Sequence, residues 1–289
     1  MHGANTAAVA WWIWPIALFA VTFLLGIIAV VAGIGGGVLF VPVVASFFPF
    51  NLDFVRGASL LLALAGTLAA GPVLLRSGMA NLRLVMPLAL AGSIASIAGA
   101  LVGLSVPADL LQTALGIVVI GVALLIWRSK GSDRLDIEES DPLGALLRLK
   151  GRFHDSAHGA HVDWRTRQTP AGLAVFAAIG FLGGVFGLGA GFANVPALNL
   201  LMAAPLKVAV GSSGLIISII NSAAAWIYIN SGAVLPLLAV PSILGVMLGS
   251  RIGARLLHTV PAPVVRQLVI VVMLIAGARA LLRGLGAWT

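Results

Sequence analysis

The stretch Gly33-Ile34-Gly35-Gly36-Gly37-Val38-Leu39-Phe40-Val41-Pro42 comes back later in the chain as Gly187-Leu188-Gly189-Ala190-Gly191-Phe192-Ala193-Asn194-Val195-Pro196. The offset is 187 − 33 = 154. Held constant and without gaps, it lays Gly26 on Gly180, Gly57 on Gly211, Ser59 on Ser213 and Ser77-Gly78 on Ser231-Gly232. It also lays Pro87 on Pro241, Gly99 on Gly253, and Pro107-Ala108 on Pro261-Ala262. Apolar matches arise by chance in so hydrophobic a chain. Glycines and prolines aligned at one lag from Gly26 to Ala108 do not. The chain reads as two copies, 11–128 and 170–284, joined by a polar linker, 129–169.

Each copy has the same layout. A long apolar segment (about 11–32 and 170–186) runs into the Gly-rich break. A short apolar segment follows (37–48 and 191–204). Three longer ones complete the unit, at 54–76, 80–105 and 107–128, then at 208–230, 233–257 and 261–284. At about 1.5 Å per residue the short segments reach only about 20 Å. The hydrocarbon core is about 30 Å thick. Backbone left unpaired at that depth has to line a cavity or be buried in protein. Paired short, Gly/Pro-interrupted segments in two repeats are the best sequence pointer to a transporter's binding site.

Composition agrees. Of 289 residues, 60% are hydrophobic and only 9% charged, against roughly 25% charged in a soluble domain; the mean hydropathy is +1.11. The expected fold is all-α: a polytopic membrane protein of eight to ten helices in two homologous repeats. Five crossings per copy make the repeats inverted, and four make them parallel. Loop charge favours the inverted form, with Arg76, Arg83, Arg128, Lys130, Lys207, Arg251, Arg255 and Arg266 on one face. The linker is then cytoplasmic. Trp11, Trp12 and Trp14 suit a membrane interface. No basic stretch precedes them, so they read as the start of a retained first helix.

The charges are uneven. Arg128 to Arg167 holds eight Lys/Arg and seven Asp/Glu; the rest holds nine basic residues and two acids, Asp53 and Asp109. A membrane body with cations and almost no carboxylates favours anions. There are no cysteines, which excludes thiolate sites and cysteine nucleophiles. No Ser-His-Asp or paired-carboxylate arrangement lies in the apolar segments, so the chain is not read as an enzyme.

The candidate site follows from helix physics. A helix N-terminus has unpaired N–H groups and partial positive charge, and glycine lets an anion approach them. Gly33, Gly35, Gly36 and Gly37, with Gly187, Gly189 and Gly191, are therefore candidate substrate-binding residues. Small residues also pack membrane helices together, so packing is the competing explanation. Pro42 and Pro196 should kink or end the short segments. Asn194, Ser59, Thr67, Ser212, Ser213 and Asn221 are candidate polar contacts, although serine and threonine in such helices often bond their own backbone. Arg56 and Lys207, near the start of matching helices, are candidate charges at the pathway mouth; snorkelling to headgroups is the alternative.

The linker divides into an acidic part, Arg134 to Asp141, and Pro142 to Phe153. The second part reads either as a basic amphipathic helix on the inner leaflet or as an unstructured tether. His154, His158 and His161 have metal-like spacing, but no cysteine joins them and no metal is expected. No cofactor is expected, and nothing points to nucleic acid. Partners are the bilayer and a small anion, with a homo-oligomer left open.

The Gly-rich breaks with their Val-Pro, the helix openings Arg56-Gly57-Ala58-Ser59-Leu60 and Val210-Gly211-Ser212-Ser213-Gly214, and the Ser-Gly turns together resemble the TauE/SafE sulfite-exporter family. That family is also called the toluene sulfonate uptake permeases. The resemblance covers 16–128 and 170–284. It implies a secondary transporter in a bacterial inner membrane, exporting sulfite or a small organosulfonate such as sulfoacetate by alternating access. Gly33, Gly35, Gly36, Gly37, Gly187, Gly189 and Gly191 match its Gly-rich motifs, and Ser59 and Ser213 its helix-opening serine. Ala190 replaces the glycine at position 36 in the second copy, and the long linker has no counterpart in the resemblance. An anion channel and a non-transporting membrane subunit or sensor remain alternatives.

Overall fold

The computed structural model describes residues 12–32, 36–76, 80–128, 141–155, 160–189, 191–256 and 262–286. Among them the chain forms α1 (Ile13–Ala32), α2 (Gly36–Phe47), α3 (Leu52–Arg76), α4 (Leu82–Ser105) and α5 (Ala108–Arg128). A linker unit follows: α6 (Pro142–Leu146) and two strands, β1 (Lys150–Asp155) and β2 (Ala160–Arg165). The second half has α7 (Thr169–Phe186), α8 (Gly191–Pro196), a π-helical turn at Ala197–Leu201, α9 (Leu206–Asn230), α10 (Pro236–Leu256) and α11 (Ala262–Gly284). The all-α polytopic expectation holds. Among the described residues, four helices are long and apolar enough to cross a bilayer, in the stretches Leu82–Ser105, Thr169–Phe186, Val208–Asn230 and Pro236–Gly253.

Local signals set the boundaries. Asn81 accepts a hydrogen bond from the Leu84 amide and caps α4, satisfying one orphan N–H of its first turn. The α7 helix opens with Pro170 in its first turn and ends on Gly187, whose φ of +64° is left-handed, the usual glycine C-cap. α4 is two-faced: Leu84, Leu88, Gly92, Ser96 and Gly99 are buried, while Met86, Leu90, Ile94 and Leu101 are exposed. The exposed stripe has the composition expected of a face turned to hydrocarbon.

Glycines fix how the helices run against one another. Along α1 and α10, Gly245 lies on Phe19 and Thr22, Gly249 on Phe23 and Ile27, and Gly253 on Ile27, so the two helices are parallel. Along α4 and α7, Gly180 lies on Gly92, Gly184 on Ser96 and Gly103 on Val185, again parallel. By contrast α3 and α9 are antiparallel: Gly57 meets Ala233, and Thr67 meets Ser218. α5 and α11 are antiparallel too, with Gly284 on Thr113 and Gly277 on Ile120. The 154-residue offset equates α3 with α9 and α5 with α11. It also carries contacts onto contacts: Gly26 on Val246 corresponds to Gly180 on Gly92, and Gly253 on Ile27 to Gly99 on Phe181.

The route of α2 follows. Trp14, in the first turn of α1, packs edge-on against Phe48 and Phe50 just before α3. Further along, Gly26 of α1 and Gly66 of α3 both meet Val246 of α10. α1 and α3 therefore run the same way, and α2 brings the chain back between them. Two faces result. One carries the starts of α1, α3 and α5 and the ends of α9 and α11; we call it the N-face. The linker face carries the end of α5, the linker unit, and the starts of α4, α7 and α9.

The linker corrects both sequence expectations. It is neither a long amphipathic helix over 142–153 nor a bare tether. α6 is five residues long, and β1 pairs with β2 as an antiparallel hairpin from Lys150↔Arg165 to Asp155↔Ala160. Leu149 and Trp164 are buried in one cluster with Leu84, Leu88, Phe176 and Met202. Asp141 caps α6 through the Gly144 amide and accepts from the Thr169 hydroxyl at 2.8 Å, and the Arg167 amide donates to the Met202 carbonyl. Alternation along the strands puts Trp164 inward and the Arg152–Asp163 ion pair outward. Trp164→Ala is expected to cost about 3 kcal/mol, read as a lower thermal midpoint of the full chain in detergent. His154 pairs with His161 in the ladder; His158 lies outside the described residues.

Candidate functional site

The two Gly-rich breaks touch. A Cβ on Gly37 would sit 3.1 Å from the Leu188 carbonyl oxygen and 3.0 Å from Ser59 Oγ. One on Gly189 would sit 3.1 Å from Asn221 Nδ2, 3.1 Å from Ala63 Cβ and 3.8 Å from Gly37 Cα. Gly189 is left-handed, with φ +55°, a conformation L side chains rarely adopt. Ser59 holds the first break by donating from Oγ to the Gly37 carbonyl at 3.2 Å. The junction lies against α3 at Ser59 and Ala63 and against α9 at Asn221.

Two asparagines stand out. Asn194 on α8 and Asn221 on α9 are 0% exposed, and neither amide makes a hydrogen bond through its nitrogen or its oxygen. An unsatisfied buried polar group costs about 1–3 kcal/mol. Both were expected as polar contacts from sequence, and here they carry donors and acceptors with no protein partner.

The other expected residues divide. Thr67 Oγ1 donates to its own helix at the Ala63 carbonyl (2.8 Å) and accepts from Ser218 Oγ at 2.5 Å, so it ties α3 to α9. Ser212 Oγ accepts from the Asn81 amide and fastens the start of α4. Ser213 is buried. Gly36 packs on Leu62 and Val246. Gly191 donates its amide to the Gly189 carbonyl. Gly33 and Gly35, and the Lys207 side chain, lie outside the described residues. The two expected helix N-termini are unequal. α2 continues through Pro42 for twelve residues, whereas α8 ends at Pro196 after six and passes into the π-helical turn.

Arg56 sits differently from a mouth charge reaching for headgroups. It is 1% exposed. Nη1 donates to the Val185 carbonyl at 2.7 Å and the Gly103 carbonyl at 3.0 Å, and Nη2 pairs with Asp53. Val185 and Gly103 belong to the last turns of α7 and α4, so the cation caps the negative ends of two helices. Below it lies Tyr228, the chain's one tyrosine, with its ring centroid 5.5 Å from the guanidinium carbon and its hydroxyl donating to the Gly184 carbonyl at 2.9 Å. Asp53 and Tyr228 were missed as a unit. The i,i+3 spacing of Asp53 and Arg56 on one helix face was a legible signal for half of it.

The family model "Sulfite exporter TauE/SafE" matches residues 18–280. The probable membrane transporter protein YunE of Bacillus subtilis (strain 168) is 30% identical over 155 residues, covering 50% of this chain and 56% of its own length. The probable membrane transporter protein ORF9 of Sinorhizobium sp is 28% identical over 269 residues, 91% of each chain. The chain thus spans about half the length of the first relative and nearly all of the second. No solved structure matches. A chain matched from residue 18 to residue 280 belongs to the TauE/SafE sulfite exporter family, a family of membrane transporters and not of enzymes.

Proposed function

We propose that the protein exports a small sulfur oxyanion or organosulfonate, such as sulfite or sulfoacetate, across a bacterial inner membrane by alternating access. The observation that carries the reading is the junction of the two breaks, with the unpartnered amide of Asn221 buried beside it and that of Asn194 buried on α8, the helix that follows the second break. Each amide has two N–H donors and a carbonyl acceptor. N–H groups suit sulfite or sulfonate oxygens, and an anion bound there would receive charge-assisted hydrogen bonds. The first turn of α2 adds unpaired backbone N–H groups from the opposite half.

Orientation and direction come from charge. Arg76, Arg83, Arg128, Lys207 and Arg251 belong to the linker face by their place in the helices. On the N-face, Arg283 donates to the Ala45 carbonyl and Arg279 lies 4.4 Å over the Phe47 ring, so these cations are engaged by the protein. The positive-inside rule puts the linker face in the cytoplasm. A negative interior potential drives an anion outward by about 2.3 kcal/mol per charge per 100 mV. Outside the linker only Asp53 and Asp109 are acidic, which leaves little for a cation-coupled route. The antiparallel pairs α3/α9 and α5/α11 support an inverted pair of repeats rocking about a central site.

The test is uptake of labelled sulfite and sulfoacetate into liposomes holding the purified protein, with sulfate and chloride as competitors. Saturable uptake of one sulfur anion is expected. Unsaturable conductance would instead make the protein a channel, and no flux of either from a folded protein would remove the organosulfur assignment.

A further inference from the structure

We propose that Asp53 is a tethered anion that occupies Arg56 until the transported anion displaces it on the N-face. The proposal rests on the anion-transport reading and names a positioning residue for it.

Arg56 lies one helical turn from Ser59, the residue that holds the Gly37 carbonyl, and Gly187 of the second break lies against the Arg56 main chain. The guanidinium therefore stands between the central junction and the N-face. Its Nη1 bonds to two helix ends make it a fixture of the fold. Two features go beyond that role. Nε is buried and makes no hydrogen bond. Among the described residues the only carboxylate on the guanidinium, Asp53, is 42% exposed, while Arg56 itself is 1% exposed.

A cation kept purely for structure is best matched by a partner as buried as itself. Here the partner sits in the first turn of α3, at the rim, where one side-chain rotation takes it into water. The position equivalent to Arg56 at the 154-residue offset is Val210, so the device exists on one face only. An anion leaving the amides toward the N-face meets a desolvated guanidinium occupied by an exchangeable carboxylate. Substrate oxygens replace Asp53 on Nη2 and find Nε open. When the substrate departs, the carboxylate returns and withholds the site from anions outside.

Asp53→Asn removes the competitor and leaves the cation. If Arg56 is free of Asp53 in about one molecule in ten, apparent affinity rises about tenfold when the carboxylate is lost. Thermal unfolding of the full chain in detergent, with formate rather than a transported sulfur anion as the added anion, reads the exchange at Arg56 apart from the central site. D53N is expected to gain several degrees at saturating anion, the wild type less than half as much, and D53N/R56Q nothing. In liposomes the half-saturating sulfite or sulfoacetate concentration on the N-face should fall about tenfold in D53N.

An anion response in D53N no larger than that of the wild type, or one that survives in D53N/R56Q, overturns the proposal. Should D53N fail to fold, Asp53→Glu serves: a longer tether is a weaker plug, and an unchanged or higher half-saturating concentration counts against it. A wild type that moves neither sulfur anion, beside a D53N that binds formate through Arg56, removes the transport reading and keeps the Arg56 exchange. Saturable transport with no anion response in D53N does the reverse.

Discussion

Gly180→Leu is expected to abolish the folded protein. On α7, a Cβ at this position falls on the carbonyl, carbonyl carbon and Cα of Gly92 on α4. The obstacle is main chain, which cannot rotate aside as a side chain does. The same seam repeats the contact along its length, with Gly184 against Ser96 and Gly99 against Phe181. Moving α7 off α4 at one point therefore opens all of it. Overpacking in an ordinary core costs about 1–3 kcal/mol; a leucine at a backbone contact should exceed that. The measurement is the yield of monodisperse protein and its thermal midpoint. Gly121→Leu is the control, because nothing lies within 4 Å of a Cβ there, and its midpoint should stay close to that of wild type. A Gly180→Leu protein with near wild-type stability would mean that α4 and α7 are not in backbone contact.

Asn221→Leu should have the opposite signature: a protein at least as stable as wild type that no longer transports. Both polar atoms of Asn221 are buried and unpaired, so the amide costs about 1–3 kcal/mol in the unliganded state. Leucine is close in size and has nothing to satisfy. The thermal midpoint should rise by a few degrees. Hydrogen bonds to a charged ligand contribute about 1.5–3 kcal/mol each, so losing one lowers flux about ten- to a hundred-fold. Paired midpoint and uptake measurements check this. A variant that is destabilised, or one that transports normally, would make Asn221 an ordinary packing residue.

These two substitutions separate what glycines and amides do here. The sequence left each Gly-rich motif open between ligand site and packing. The contacts these glycines make differ by position. Gly36 packs against Leu62 and Val246, while Gly37 and Gly189 bring the breaks together beside Asn221. Serine and threonine had the same ambiguity, and Thr67 resolves to a backbone bond and a link to Ser218. Arg56 was legible as a charge at a helix start, yet its burial was not, because two of its partners, Gly103 and Val185, are carbonyls far away in the chain.

By itself the sequence determined the membrane class and the approximate ends of the long helices and of the short segments. These depend on hydropathy, proline and glycine, which act locally and leave their pattern in the order of residues. Only the tertiary structure decided that α3 and α9 run antiparallel, that α2 returns the chain, and that the linker hairpin buries Leu149 and Trp164. It also decided which polar side chains lack partners. Those outcomes depend on which surfaces meet, and a contact between Gly37 and Leu188 or between Arg56 and Val185 is written in neither segment alone.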